Sequence, residues 1–169
     1  MTTVPDAEAL CANLLAQVRP DVSARTVLIG VHTGGAWIAE RLHRELGLTT
    51  PLGFLDISFY RDDFARVGLN PQVKKSNIPV DIEDAEIILV DDVLQSGRTV
   101  RAAMNELFDY GRPARIDLAV LIDRGARELP IAARYVATML SLPANQGFNL
   151  ARAADGRLSF SLVARGGAG

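Results

Sequence analysis

Ile87-Ile88-Leu89-Val90-Asp91-Asp92-Val93-Leu94-Gln95-Ser96-Gly97-Arg98-Thr99 is the stretch on which the reading of this chain turns. Ile87 to Val90 is short, continuously apolar and rich in strand-forming residues, the pattern of a strand buried on both faces. Two carboxylates follow, Asp91 and Asp92. Gln95 to Thr99 then opens a helix whose inner face is Val100, Ala103, Met104 and Leu107, with Gly111 and Pro113 to end it. In an open α/β sheet, ligands sit beyond the carboxyl ends of the strands, and this is such an end. Ser96 and Thr99 offer hydroxyl donors, and Gly97 lets backbone N–H groups approach closely. Arg98 adds charge to the partial positive charge of the helix N-terminus, which completes a phosphate cradle. Asp91 and Asp92 stand just upstream, placed to accept from the vicinal hydroxyls of a phosphorylated sugar and to hold magnesium directly or indirectly. Taken singly these features are ordinary: Asp-Asp after a strand reads as a polar turn, and Ser-x-x-Thr as a helix cap. The combination is what carries information. Neither G-x-G-x-x-G nor G-x-x-x-x-G-K-[ST] occurs, so two common nucleotide fingerprints are absent.

Upstream of this stretch, Ala7, Leu10, Cys11, Leu14, Leu15 and Val18 recur at helical spacing until Pro20 stops them. Val27 to Val31 reads as a buried strand, Thr33-Gly34-Gly35 as a turn, and Ala36 to Leu46 as a helix with Gly47 as its stop. A second strand is expected from Leu52 to Tyr60, and the polar run Arg61 to Asn77 as a long loop or exposed hairpin of the kind that forms lids. Downstream, Ile116 to Ile122 reads as another strand. Past Ile131 the pattern weakens into short β-like pieces, Tyr135 to Leu140 and Leu158 to Val163. The regular alternation of strand, turn and helix argues for an α/β fold with a mainly parallel central sheet flanked by helices. One domain is expected over residues 1–164, and a disordered tail over 165–169.

With 169 residues, 49% hydrophobic and 22% charged, the chain can bury one core and not two. No apolar run approaches the roughly 20 residues of a membrane span, and the N-terminus has no signal-peptide pattern, so a cytoplasmic location is expected. Cys11 is a lone cysteine and reads as core filler. With His32 and His43 the only histidines, no zinc-ligand spacing can be drawn; His43, between Arg41 and Arg44, is expected at the surface. The net charge of -2 does not announce a nucleic-acid binder.

The quoted stretch resembles the PRPP-binding motif of type I phosphoribosyltransferases, where PRPP is 5-phosphoribosyl-1-pyrophosphate. Leu55 to Asp63, Asn77 to Ile82 and Val120 to Ile131 narrow the likeness to the family of bacterial pyrimidine-operon regulators that are also uracil phosphoribosyltransferases. It covers roughly Val27 to Tyr135. The resemblance implies a type I phosphoribosyltransferase fold with a small flexible hood, and the reaction of uracil with PRPP to give UMP and pyrophosphate. It also implies Mg2+ as cofactor, pyrimidine-operon mRNA as a further partner, and a homodimer or homotetramer. Asp91 and Asp92 would be the catalytic pair, on the ribose hydroxyls and magnesium. Val93, Leu94, Gln95, Ser96, Gly97, Arg98 and Thr99 would form the PRPP loop, with Ser96 to Thr99 on the 5-phosphate. Thr33, Gly34 and Gly35, with Arg61 and Asp62 from the hood, would face the pyrophosphate; Lys74 and Lys75 fall in that hood. Ile122, Asp123 and Arg124 would receive the base, and Arg127 and Arg134 would touch RNA. His32, beside the pyrophosphate loop, is a weaker candidate for a general base, since a leaving pyrophosphate needs donors more than an acceptor.

Several positions depart from the family pattern. Thr-Arg-Gly becomes Thr33-Gly34-Gly35, which lowers expected PRPP affinity; a loop tyrosine becomes Gln95; a His-Arg pair becomes Ala126-Arg127; and a lysine becomes Thr138. The last two remove cations from the surface expected to bind RNA, so the enzyme ranks above the regulator, although Arg124, Arg127, Arg134 and Arg152 remain. Two other readings stand: an RNA-binding, nucleotide-sensing regulator with little catalysis, and a purine phosphoribosyltransferase. The purine enzymes usually carry an aspartate where this chain has Gln95, and glutamine cannot exchange a proton with a purine ring.

Overall fold

The computed structural model describes residues 3–58 and 76–166. Five parallel strands form one sheet in the order β2-β1-β3-β4-β5, with β1 Thr26–Val31, β2 Gly53–Leu55, β3 Glu86–Leu94, β4 Arg115–Asp123 and β5 Tyr135–Met139. Side chains along these strands alternate between two cores, as the two-residue period of a pleated strand requires. Leu28, Ile88, Val90, Ala119 and Leu121 face one side, where α1 (Ala7–Val18) and α2 (Gly34–Leu46) contribute Leu14, Val18, Ile38, Ala39 and Leu42. Val27, Ile29, Ile87, Leu89, Leu118 and Val120 face the other, covered by Val100, Ala103 and Leu107 of α3 (Arg98–Tyr110). Both faces are therefore dry, which is why these strands read as unbroken apolar runs. The mainly parallel central sheet flanked by helices that the sequence predicts is present, and among the described residues no helix is long and apolar enough to cross a membrane.

The helix signals behave as their chemistry dictates. Asp6 caps α1, its Oδ1 accepting from the N–H of Glu8 at 2.9 Å and of Ala9 at 3.4 Å. Gly47 ends α2 in the left-handed region at φ 65, a conformation glycine reaches without strain. His43 differs from expectation: it is half-buried, with Nε2 2.6 Å from the Thr50 carbonyl.

Cys11 is buried in the core, and burial pushes its thiol up to about 11. The neutral thiol is the form the fold holds. Its contribution to stability is complete below the ordinary thiol value of about 8.5 and is lost as pH rises towards the folded value. Thiol labelling at pH 8 is expected to run at least about a hundredfold slower in the native protein than in urea, because the thiolate is both scarce and shielded; equal rates would place Cys11 outside the core.

Strand boundaries moved in three places. The second strand is only Gly53–Leu55 among the described residues, and Tyr60 lies outside them. The third runs on through both aspartates to Leu94, because β4 is as long and pairs with it there, Asp91 with Val120, Val93 with Ile122 and Leu94 with Asp123. A strand absent from the sequence reading, β6 (Gln146–Arg152), pairs antiparallel with β7 (Leu158–Ala164) in a hairpin. Phe148, Leu150, Leu158 and Phe160 seat that hairpin on the α1/α2 core. Arg165, expected at the start of a disordered tail, is held in place, its N–H donating to the Asn145 carbonyl at 2.8 Å; residues 167–169 lie outside the described residues.

One irregularity concerns the acids directly. Val90 and Val93 pack on one core while Leu89 and Leu94 pack on the other, so the alternation slips by one residue across Asp91-Asp92. In β4, Leu121 and Ile122 both belong to the first core, so the same slip occurs beside it. Register is unchanged across the slip, with Asp91 opposite Val120 before it and Val93 opposite Ile122 after it.

Candidate active site

β1 and β3 are neighbours in the sheet, but the helices that follow them take opposite faces, α2 on one and α3 on the other. A crevice opens where connections diverge in this way, at the carboxyl ends of the two strands, and open α/β sheets bind ligands in that crevice. Both helices present their first turns there. α2 starts at Gly34 behind Thr33 and α3 at Arg98 behind Gly97, and neither capping residue supplies a side-chain hydrogen bond. Apart from the Arg98 N–H, which Ser96 Oγ accepts at 3.2 Å, their early N–H groups are left for an anion among the described residues. Gly97 sits at φ 92, so the turn that aims the second cradle requires glycine.

Asp91 and Asp92 lie between these two turns. Asp91 is 4% exposed and its Oδ1 accepts the Asp92 N–H at 2.9 Å. Asp92 is half-buried, with Oδ1 accepting the Val93 N–H at 2.8 Å. The glycines of the first turn explain how close the two loops come. A methyl group on Gly34 would stand 2.5 Å from Asp92 Oδ2, and one on Gly35 would stand 2.3 Å from the Val90 carbonyl oxygen and 2.9 Å from Asp91 Cα. Sequence reading saw these glycines as a turn. The structure makes them the surface on which the Thr33-Gly34-Gly35 turn and the acids meet. His32 is half-buried next to them, its ring centroid 5.4 Å from that of Phe54.

Not every residue expected in the PRPP loop offers its side chain. Leu94 is 2% exposed in the core, and Val93 packs against the opposite core. Ser96 Oγ accepts the Arg98 N–H at 3.2 Å, and the Ser96 carbonyl accepts from Glu128 and Leu129. Arg98, expected to add charge to the cradle, ion-pairs instead with Glu128 at 2.7 Å, since its side chain leaves the first turn outward. Thr99 is half-buried in the first turn of α3.

The residues expected at the base are more buried than a contact role needs. Ile122 is fully buried, Asp123 is 7% exposed and Arg124 is 5% exposed. Burial pushes the Asp123 carboxyl up, but the Arg127 hydrogen bond, the Gly125 N–H and the Arg127 charge together hold it below the ordinary value. A depressed carboxyl stabilises the fold above its unfolded value of about 4 and loses that contribution as pH falls through the folded one. Urea midpoints from pH 7 down to 3 are expected to fall in the wild type and to fall less steeply in Arg127→Ala; parallel curves would mean the pair contributes nothing.

The cations expected on an RNA face do not form one. Arg134 pairs with Asp117 at 3.0 Å and with Asp21 at 3.2 Å, at the amino end of β4, whereas Arg127 pairs with Asp123 at its carboxyl end. Six residue steps along the strand separate the two acids, about 20 Å. Arg152, at the end of β6, packs against α2, 2.7 Å from Glu40 and over the Trp37 ring, and Arg124 is buried. Arg61, Asp62, Lys74 and Lys75 lie outside the described residues. Their flanks are joined, with the Asp56 N–H donating to Ser76 Oγ at 2.9 Å and Ser76 donating to Glu106. No cluster of three or more potential metal ligands exists among the described residues.

Residues 2–151 match the family model described as a phosphoribosyl transferase domain. The chain is similar to the bifunctional protein PyrR of Pseudomonas aeruginosa (strain LESB58), 51% identical over 144 residues that cover 83% of this chain and 85% of that protein. It is 54% identical over 128 residues to the protein of the same name from Nitrosococcus oceani, covering 75% and 72%. In structure it is similar to a hypoxanthine-guanine phosphoribosyltransferase from Bacillus anthracis, with a TM-score of 0.65 over 83% and 85% of the two chains at 23% identity, a likeness of fold.

Proposed function

This chain belongs to the phosphoribosyl transferase family and, within it, to the bifunctional PyrR proteins, and from that premise we propose that it transfers the phosphoribosyl group of PRPP to uracil, giving UMP and pyrophosphate. The observation that carries the reading is the meeting of three parts at one crevice: the Asp91-Asp92 pair, the Gly34-Gly35 turn in contact with it, and the uncapped start of α3. PRPP has three matching parts, a ribose with two free hydroxyls, a pyrophosphate and a 5-phosphate. Asp92, the more accessible acid, accepts from the ribose hydroxyls with Asp91 behind it. The N–H groups at Gly34 and Gly35 donate to the pyrophosphate, and those at the start of α3 hold the 5-phosphate.

In the reaction the bond from the anomeric carbon to pyrophosphate breaks and a bond from uracil N1 forms, with the N1 proton released. The transition state is oxocarbenium-like, so the work of the protein is positioning and charge stabilisation. Two adjacent carboxylates fit magnesium, a hard cation that takes one or two carboxylates and completes its shell with water and substrate phosphates. Asp91 and Asp92 would hold it, and when bound it neutralises charge on the departing pyrophosphate. We place the protein in the cytoplasm, as a homodimer or homotetramer.

A panel of uracil, hypoxanthine and orotate with PRPP and magnesium tests the proposal. Uracil is expected to be consumed at least about a hundredfold more efficiently than either competitor, the size of discrimination a hydrogen-bonded base site supports. Preference for hypoxanthine would move the chain to the purine enzymes, a reading that Gln95 opposes because an amide neither takes nor gives the proton. The word bifunctional in the relatives' names favours a second activity, binding of pyrimidine-leader RNA, with Arg127 as the remaining candidate near the strand ends. Filter binding across a salt series checks it: a shallow slope in log affinity against log salt is expected, since Arg127 itself pairs with Asp123, and Arg124, Arg134 and Arg152 are paired or buried.

A further inference from the structure

Gln95, immediately ahead of the phosphate loop, is the meeting point of three arginines from distant parts of the chain. Its side-chain oxygen accepts from Arg124 Nη1 at 2.8 Å and from Arg165 Nη1 at 2.6 Å, and its carbonyl accepts from Arg127 Nη1 at 2.8 Å. Arg124 and Arg127 belong to the segment after β4. Arg165 comes from beyond β7, 70 residues from Gln95 in sequence, and reaches the loop across the hairpin. Gly147 on β6 makes that crossing possible, because a methyl group there would stand 2.6 Å from Arg165 Nε. The Arg165 N–H on Asn145, and Arg124 Nη2 at 3.3 and 3.4 Å from the Leu142 and Pro143 carbonyls, fasten the connection between β5 and β6 to the same hub.

We infer that Arg165 is a positioning residue for the phosphate loop: it latches the C-terminal hairpin onto Gln95 and so holds the loop in its PRPP-binding form. The role rests on the proposed reaction. Gln95 is a neutral acceptor shared by two guanidiniums, and no carboxylate pairs with either of them among the described residues. Burial, and then the charge of Arg165, lower the pKa of Arg124, a sign that the two cations repel. The contact therefore persists because one oxygen serves both, and a side chain without that oxygen would release Arg165. A loop ordered before PRPP arrives spares the ligand the cost of ordering it.

Two measurements on the full chain test the latch. Amide exchange of the segment 94–99, with no substrate present, is expected to quicken about fivefold in Arg165→Ala, as loss of one charged hydrogen bond predicts. Gly147→Ala should do the same, since its methyl group pushes a flexible side chain off Gln95 and leaves the guanidinium in place chemically. Arg165→Lys should restore part of the protection. PRPP affinity, by calorimetry, should weaken about fivefold in Arg165→Ala, with KM for PRPP rising alike and kcat changing less than about twofold. Gln95→Leu with Arg165→Ala should be no worse than Gln95→Leu alone. Unchanged exchange in both Arg165→Ala and Gly147→Ala overturns the latch. Faster exchange with unchanged PRPP affinity overturns its positioning role. A wild-type protein that binds no PRPP overturns the proposed function, and the exchange experiment still decides the latch by itself.

Discussion

Asp91→Asn combined with Asp92→Asn is expected to lower kcat/KM for uracil phosphoribosylation by at least about a hundredfold, roughly 2.7 kcal/mol of transition-state stabilisation. The charge is what is lost, since asparagine keeps the shape and the oxygen that Asp91 and Asp92 use to accept the N–H groups of Asp92 and Val93. Stability should hardly change, and thermal unfolding within about 3 °C of the wild type is the accompanying expectation. Of the single variants, Asp92→Asn should cost more than Asp91→Asn, because Asp92 faces the Gly34 turn and Asp91 is 4% exposed. A double variant that turns over uracil near the normal rate would remove the acids from the chemistry.

Gly35→Ala is expected to fail in a different way, by damaging the fold. Its methyl group would meet the Val90 carbonyl at 2.3 Å and Asp91 Cα at 2.9 Å, and a strand backbone buried in the middle of the sheet cannot move aside. α2 must then lift from β3, pulling Ile38 and Ala39 out of contact with the first core. A cost of about 3 kcal/mol follows, at the upper end of what overpacking a core takes, and the urea midpoint should fall accordingly. Gly34→Ala is the control. Its neighbour is the Asp92 side chain, which can rotate away, so activity should drop while stability stays close to normal. If Gly35→Ala unfolds like the wild type, the close approach of the two loops is wrong.

The parts of this fold that sequence makes legible are those governed by one local pattern. Val27 to Val31, Ile87 to Val90 and Ile116 to Ile122 show as strands because both their faces are dry, and Gly47 shows as a stop because it takes the left-handed turn. β6 does not show, since Phe148 and Leu150 are its two large buried side chains, and Asn149 between them and Ala151 after them look like loop. The length of β3 is hidden for a related reason: adjacent aspartates argue against a strand, and only pairing with β4 overrides them.

The candidate site divides in the same way. Asp91, Asp92 and Gly97 stand together in sequence and in space, so the cradle is readable from one segment. Gly34 and Gly35 are readable as a turn, but their contact with Asp92 and Val90 depends on β1 lying beside β3. Arg98 looks like a phosphate ligand until Glu128, 30 residues on, claims it. Arg134 looks like a neighbour of Arg127 until the strand between them carries it to the other end of the sheet. Such partners are set by topology, and a linear pattern holds no record of them.

The paired slip in β3 and β4 has a consequence for how this chain can change over time. Removing one residue at Asp91-Asp92 would restore strict alternation in β3 with Val93 and Leu94 still on their present faces, but would put both one rung out of register with Ile122 and Asp123, unless β4 lost one at Leu121-Ile122 in the same step. Length changes in these two strands must come as a matched pair, far rarer than either alone. Insertions and deletions should therefore gather in the connections and spare this double rung, so that the acids pass between descendants as a block of fixed length even where neighbouring loops diverge.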